Sequence, residues 1–321
     1  MFKIDFEDPT CIPIVFLMGG TATGKTDVAA LLTEKIPSEL ISVDSSLVYR
    51  GMNIGTAKPD KEFLKNFPHH LVDIRDPDQT YSVADFCTDS KELVNDICQR
   101  NKVPILVGGT SFYFSAFENG LPDLPKKDEI IRQEIILEAE KKGWKAMHSE
   151  LANLDPVSAK RINVNDPQRI QRALEIFRIT GQPVKTELNP TKQIKNPILK
   201  IALYHHERKE LHSRIEKRFK LMVEKGLTDE IVQLMSQYPP DIPAFRMIGY
   251  RQFIEGMNKN DHIDSMIEKS IISTRQLAKR QLTWLRNQAG ILWVGVDKND
   301  ITNTANLIAD CCDFWLRNKG I

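Results

Sequence analysis

Ile14-Val-Phe-Leu-Met-Gly-Gly-Thr-Ala-Thr-Gly-Lys-Thr26 is an apolar run that breaks into glycines and passes directly into a helix-forming stretch. Ile14–Met18 has the length and composition of a buried parallel strand. The GxxxxGKT spacing that follows, between a strand and a helix, is the context a Walker A phosphate loop requires. Gly19 and Gly24 permit a close approach that a Cβ would forbid, so the N–H groups of Gly19, Gly20, Thr21, Ala22, Thr23 and Gly24 can point into one concavity. The start of the helix adds its positive end, and Lys25 adds a mobile cation. Thr26 offers a hydroxyl to a phosphate-bound Mg2+. The bland alternative is a chance glycine turn. The loop announces a di- or triphosphate but not what is attached to it, so a kinase using ATP and a transferase using another diphosphate look alike at this point.

Outward from this loop, the short apolar runs Ile12–Met18, Leu40–Val43, Pro104–Val107, Leu199–Leu203 and Ile291–Val296 read as further buried strands. Helical patterns over Lys25–Glu34, Val83–Gln99 and Arg208–Lys225 lie between them, which predicts an α/β fold with a P-loop-type parallel sheet. Leu121 to Lys195 lacks a convincing strand and carries several helical patterns. It is read as a helical insertion, residues 121–195, in a core made of residues 1–120 and 196–321. Within it Asp166 and Pro167 open a helix whose Ile170, Leu174 and Phe177 share one face. A long helix is expected over about Ile263 to Asn287.

Composition narrows the class. Hydrophobic residues at 41% and charged residues at 27% fit an ordinary globule of two modules. With 44 basic and 43 acidic residues the net charge is +1, so any polyanion site must be a local patch. One such patch is legible: Lys269 to Arg286 holds five basic residues and no acidic one, with Trp284 between them, though Trp284 suits a core better than a stacking platform. Cys11, Cys87, Cys98, Cys311 and Cys312 are odd in number and show no zinc spacing, which suits a reducing cytoplasm. Ile12–Met18 is too short for a membrane span.

The segment Asp44-Ser-Ser-Leu-Val-Tyr-Arg-Gly-Met-Asn-Ile-Gly-Thr-Ala-Lys-Pro59 closely resembles the signature of bacterial tRNA dimethylallyltransferases, also called tRNA isopentenyltransferases. The resemblance continues through Pro68–Asp73, Gly108-Gly-Thr110, Asp166-Pro-Gln-Arg-Ile-Gln-Arg-Ala-Leu-Glu175, Arg246-Met-Ile-Gly-Tyr-Arg251 and Thr274–Arg286, and so covers nearly the whole chain. It implies that the loop holds the pyrophosphate of dimethylallyl diphosphate. The acceptor it implies is the N6 amine of adenosine 37, just 3′ of the anticodon, in the anticodon stem-loop of tRNA. Mg2+ is the implied cofactor, and a cytoplasmic monomer with no membrane partner is expected. The loop departs from the family at Gly20, where Pro is common, and at Thr23, where Ser is common. Gly20 only loosens the loop and Thr23 keeps a hydroxyl, so both should be tolerated.

Asp44 ends a predicted strand, the edge where ligands gather in open α/β sheets. Its carboxylate could take the proton of an attacking amine; ordering magnesium or closing a turn are the alternatives. The resemblance places the Thr110 hydroxyl near the reacting groups and Arg218 on the departing pyrophosphate, where a preorganised cation lowers the barrier. A helix N-cap and a solvated arginine are the respective alternatives. For tRNA the resemblance implies Asp44, Ser45, Ser46, Leu47, Thr110, Arg132, Gln168, Arg169, Ile170, Gln171 and Arg172. It implies also Arg246, Gly249, Tyr250, Arg251, Lys279, Arg280 and Arg286. Arg246 and Arg251 flank a turn that would let backbone approach RNA. His69 and His70 lack ligand-like partners and are assigned structural roles.

Overall fold

The computed structural model describes residues 12–185, 194, 196–296 and 300–318. Cys11 and Lys195 lie outside the described residues. Two compact units result, Met1–Glu118 with Ile194–Ile321, and Asn119–Gln193.

In the larger unit six strands form one parallel sheet: β1 (Ile14–Gly19), β2 (Ser38–Val43), β3 (His69–His70), β4 (Val103–Gly108), β5 (Ile198–Tyr204) and β6 (Ile291–Gly295), in the order β3-β2-β4-β1-β5-β6. β1 is buried along its whole length between β4 and β5, which is why it reads as an unbroken apolar run rather than an alternation. The register pairs Met18 with Gly108 and Val43 with Gly108, so β1, β2 and β4 end at one level. That alignment brings the loop after Gly19, Asp44 and the Gly109–Thr110 step to the same edge of the sheet.

The helices that cover this sheet begin with α1 (Lys25–Thr33), α2 (Lys61–Asn66), α3 (Val83–Gln99) and α4 (Ser111–Asn119). Ser82 caps α3 with a reciprocal bond to Asp85, which fixes its start at the expected residue. The smaller unit holds α5 (Glu129–Lys142), α6 (Trp144–Leu154), α7 (Pro156–Arg161) and α8 (Pro167–Thr180). Asp155 and Asp166 cap α7 and α8, each followed by proline at the first helical position. Their apolar faces, including Ile135, Met147, Leu151, Ile170 and Leu174, close a core of their own. The larger unit then continues with α9 (Arg208–Glu224), α10 (Leu227–Gln237), α11 (Tyr250–Asn258), α12 (Ile263–Arg286) and α13 (Ile301–Asn318). α12 packs on α9 and α11, and α13 on α1.

The two-residue β3 is absent from the sequence reading because His69–His70 carries no apolar run. Its pairing with Leu40–Ile41 and the contact of His70 Nε2 with Glu39 at 2.9 Å give it a structural role. Burial pushes the Cys87 and Cys98 thiols up to about 11 and that of Cys312 up to about 12, so these are inert packing groups.

Candidate active site

The phosphate loop leaves β1 at Gly19, where an added Cβ would sit 2.8 Å from the Leu203 carbonyl oxygen and 2.9 Å from Thr23 Oγ1. Only glycine fits there. Gly24, at φ 85°, opens α1 without any side chain on the helix's first N–H groups, so those donors stay available to an anion. Thr23 is buried and its hydroxyl donates to the Gly20 carbonyl at 2.8 Å, an internal brace. Lys25 Nζ donates to the same carbonyl at 2.7 Å and to Thr23 Oγ1 at 3.3 Å.

Charge is concentrated around Lys25. Burial lowers its ammonium to about 8; the Asp44 carboxylate opposes that shift and the Arg218 guanidinium adds to it. Burial likewise lowers Arg218, with Asp44 acting against it. Arg218 stands on α9, and its Nη1 reaches Thr21 Oγ1 at 3.5 Å. One turn earlier, Arg214 Nε donates to the Ala22 carbonyl at 3.0 Å. Lys25 and Arg218 therefore share the one carboxylate of Asp44, with Arg214 beside them, an arrangement whose surplus positive charge suits a bound diphosphate.

The acceptor side is tied to the same frame. Asp44 Oδ1 accepts from Ser46 N at 2.8 Å and from Ser46 Oγ at 2.5 Å. Thr110 Oγ1 accepts from Ser45 N at 3.1 Å, while Thr110 N donates to the Val43 carbonyl at 3.2 Å. Thr110 thus locks the two strand ends together. Gln281 of α12 joins the halves: its Oε1 accepts from Thr21 N at 2.8 Å and its Nε2 donates to the Gly109 carbonyl at 2.9 Å. A Cβ at Gly109 would lie 2.5 Å from that Nε2, which explains the glycine.

The long motif after Asp44 is held from α10. Glu230 accepts from Asn53 N, Ile54 N and Gly55 N at 2.8, 2.8 and 3.0 Å, and from the Tyr250 hydroxyl at 2.6 Å. Lys58 Nζ bonds the Tyr49 carbonyl and Asp73. Many residues of the motif are therefore scaffold for the turn that presents Asp44.

Three expected RNA contacts need correction. Tyr250 is fully buried, with its hydroxyl on Glu230. Gly249 is buried too, at φ 96° and with its N–H donated to Gln252, so this glycine serves a turn and not an RNA approach. Ile170 is 0% exposed in the core of the smaller unit. In that unit Arg132 and Arg172 both pair with Glu175, itself 0% exposed, at 3.1 and 2.8 Å. Arg172 also donates to the Pro125 carbonyl, and Gln171 to that of Arg132. Gln168 and Arg169 stand exposed, as do Arg246, Arg251, Lys279, Arg280 and Arg286 in the larger unit, while Leu47 is half-buried.

Sequence reasoning missed Arg214, Gln281 and Glu230. Arg214 lies four residues before Arg218, so the shared helix face was a usable signal. Gln281 stands inside the basic stretch of α12, where charge drew the reading. Glu230 sits in no motif and left no signal. Among the described residues no three His, Cys, Asp or Glu side chains gather as a metal cage. A magnesium held by one hydroxyl and substrate phosphates fits this donor set, with Thr26 supplying the hydroxyl.

The sequence model of the IPP transferase family matches residues 47–288. A curated relative, tRNA dimethylallyltransferase 2 of Hahella chejuensis, is 44% identical over 310 residues, covering 91% of this chain and 93% of its own. Among solved structures, a tRNA isopentenylpyrophosphate transferase from Bacillus halodurans superposes with TM-score 0.66 at 37% identity, over 93% of this chain and 96% of that one. A eukaryotic dimethylallyltransferase acting on tRNA superposes with TM-score 0.76 at 26% identity, over 93% of this chain and 77% of that one.

Proposed function

The chain belongs to the IPP transferase family, and from that premise we propose that it transfers the dimethylallyl group of dimethylallyl diphosphate to N6 of adenosine 37 in tRNA, releasing pyrophosphate. The observation that carries this reading is a single frame at the ends of β1, β2 and β4. There Gln281 bonds the donor loop to the Gly109–Thr110 step, and Thr110 holds the turn of Asp44.

In the reaction the N6 lone pair forms a bond to the allylic carbon as the carbon–oxygen bond breaks, and that electron pair leaves on pyrophosphate. An exocyclic amine is a poor nucleophile, so Asp44 accepts its hydrogen bond and then its proton. Lys25 and Arg218 stabilise the charge that grows on the leaving oxygens, and the uncapped N–H groups of α1 add to this. A Mg2+ ion on Thr26 would neutralise part of the diphosphate charge. Arg214, on the Ala22 carbonyl, braces the loop from α9.

The target base must leave its stack, at a cost on the order of a few kcal/mol, which contacts to the RNA backbone can offset. The exposed cations Lys279, Arg280 and Arg286 on α12 would supply them. The reading puts the enzyme in the cytoplasm with its RNA and as a monomer; among the described residues no helix is long and apolar enough to cross a membrane.

The test is to mix the purified protein with dimethylallyl diphosphate and an anticodon stem-loop bearing adenosine 37, with ATP as the rival donor. Nucleoside mass analysis should show one dimethylallyl adenosine with the diphosphate and none with ATP. Phosphate transfer from ATP, or no modified base at all, would refute the proposal.

A further inference from the structure

The outer face of α9 holds a cluster that the reaction leaves unused. Arg214 and Arg218 turn toward the phosphate loop, whereas Lys209, His212, Lys217 and Lys220 line a separate cavity of about 390 Å³ with Glu216 and, from α12, Arg275. Four permanent cations stand against one carboxylate in a protein whose total charge is close to zero. Glu216 pairs with Lys220 at 2.9 Å and with Arg275 Nη2 at 3.1 Å, and so is already committed. Arg275 Nε is buried and has no hydrogen-bond partner among the described residues. The Arg275 guanidinium thus stands beside the cavity with a donor unmet, and its charge draws an oxygen anion placed close to it. Burial lowers the pKa of His212, and the Arg275 and Arg208 cations lower it further, which reports the same positive potential.

We propose that this cavity between α9 and α12 binds a backbone phosphate of the tRNA, outside the stem-loop contacts of the reaction site, and so extends the RNA track along the protein. An RNA phosphate is favoured over a free one by the sequence of α12. Arg275 and Lys279 are four residues apart and share a helix face, so the cavity continues the exposed row that runs on to Arg286. A single mobile anion would not need that continuity; a polyanion does. The inference rests on the tRNA-modifying reading above.

The experiment uses the double variant Lys209→Gln/Lys217→Gln. Both lysines are exposed, and neither belongs to the donor loop or the acceptor turn. Plotting log affinity for full-length tRNA against log salt should give a slope smaller than wild type by about 0.7–0.9, the worth of one lost phosphate contact. The turnover number at saturating tRNA and the KM for dimethylallyl diphosphate should stay at wild-type values. In a companion titration of wild-type protein, tRNA should shift the His212 imidazole signals and raise its pKa. An unchanged salt slope with an unmoved His212 would overturn the assignment. So would inorganic phosphate shifting His212 at millimolar concentration while tRNA does not, since the cavity would then serve a free anion. A wild-type protein that neither binds nor prenylates tRNA would instead overturn the functional reading itself.

Discussion

Lys25 carries a prediction whose size follows from its surroundings. Burial holds its ammonium at about 8 rather than the ordinary 10.5, because the gain from Asp44 does not make up for lost water and the nearby Arg218. Only the charged form can pair with a diphosphate, so the free enzyme should lose donor affinity as pH rises through that value. By simple titration about nine tenths of the lysines are charged one pH unit below it and about one tenth one unit above. The parameter to measure is kcat/KM for dimethylallyl diphosphate at saturating tRNA, from about pH 7 to 10, since it reports groups of the enzyme before the donor binds. It should bend near pH 8 and then fall about tenfold per unit. Lys25→Arg, charged throughout, should remove the bend whatever its absolute rate. The stability sign is the reverse. Between about 8 and 10.5 the folded chain binds fewer protons at this residue than the unfolded one, so its contribution to stability rises with pH across that window. Lys25→Met should therefore stabilise the ligand-free protein at neutral pH while abolishing donor binding. A wild-type kcat/KM that stays flat to pH 9.5 would show that the Lys25 charge does not govern donor binding.

Three further outcomes follow from the geometry. Gln281→Leu removes both bonds of the strap between Thr21 and Gly109 and should lower kcat by about 10-fold or more, as misplacement of reacting groups does, with little change in KM for tRNA; steady-state kinetics in which only thermal stability falls would contradict this. Glu230→Ala leaves the buried Tyr250 hydroxyl and the half-buried N–H groups of Ile54 and Gly55 without their acceptor, and should cost about 2–4 kcal/mol in denaturant unfolding. A loss below about 0.5 kcal/mol would remove Glu230 from its clamp role. Arg172→Gln should destabilise the protein by about 1–3 kcal/mol by taking the charged partner from one oxygen of the buried Glu175 carboxylate, whereas Lys279→Gln should leave the unfolding midpoint in place and flatten the salt dependence of tRNA binding by about 0.7–0.9; the opposite pairing of effects would invert their roles.

How much of this was legible in the sequence depends on how local the cause is. β1, the phosphate loop and α1 are contiguous, so their apolar run, glycines and Lys25 could be read together. The caps at Ser82 and Asp166 are local as well, and α3 and α8 begin where they predict. β3 was invisible because its two histidines pair with residues some thirty positions away. The pairing of Arg132 and Arg172 with Glu175 could not be read either, because burial of a glutamate leaves no mark in the sequence. Tyr250 looked like a contact for the same kind of reason, since its partner Glu230 lies outside every motif. Gln281 was overlooked because a neutral side chain between basic ones carries no electrostatic signal, although its two amide atoms bridge loops far apart in the chain.

Asp44 is the group that takes the adenine proton in the proposed reaction. The decisive measurement is the single-turnover rate of Asp44→Asn beside wild type, with dimethylallyl diphosphate and tRNA saturating, across a magnesium titration. The asparagine keeps the size and an acceptor for Ser46 but cannot take up a proton, so the rate should fall by about 10²–10⁴ and stay low at every magnesium concentration. Recovery of the variant's rate at high magnesium would show that Asp44 orders the metal and does not take the proton.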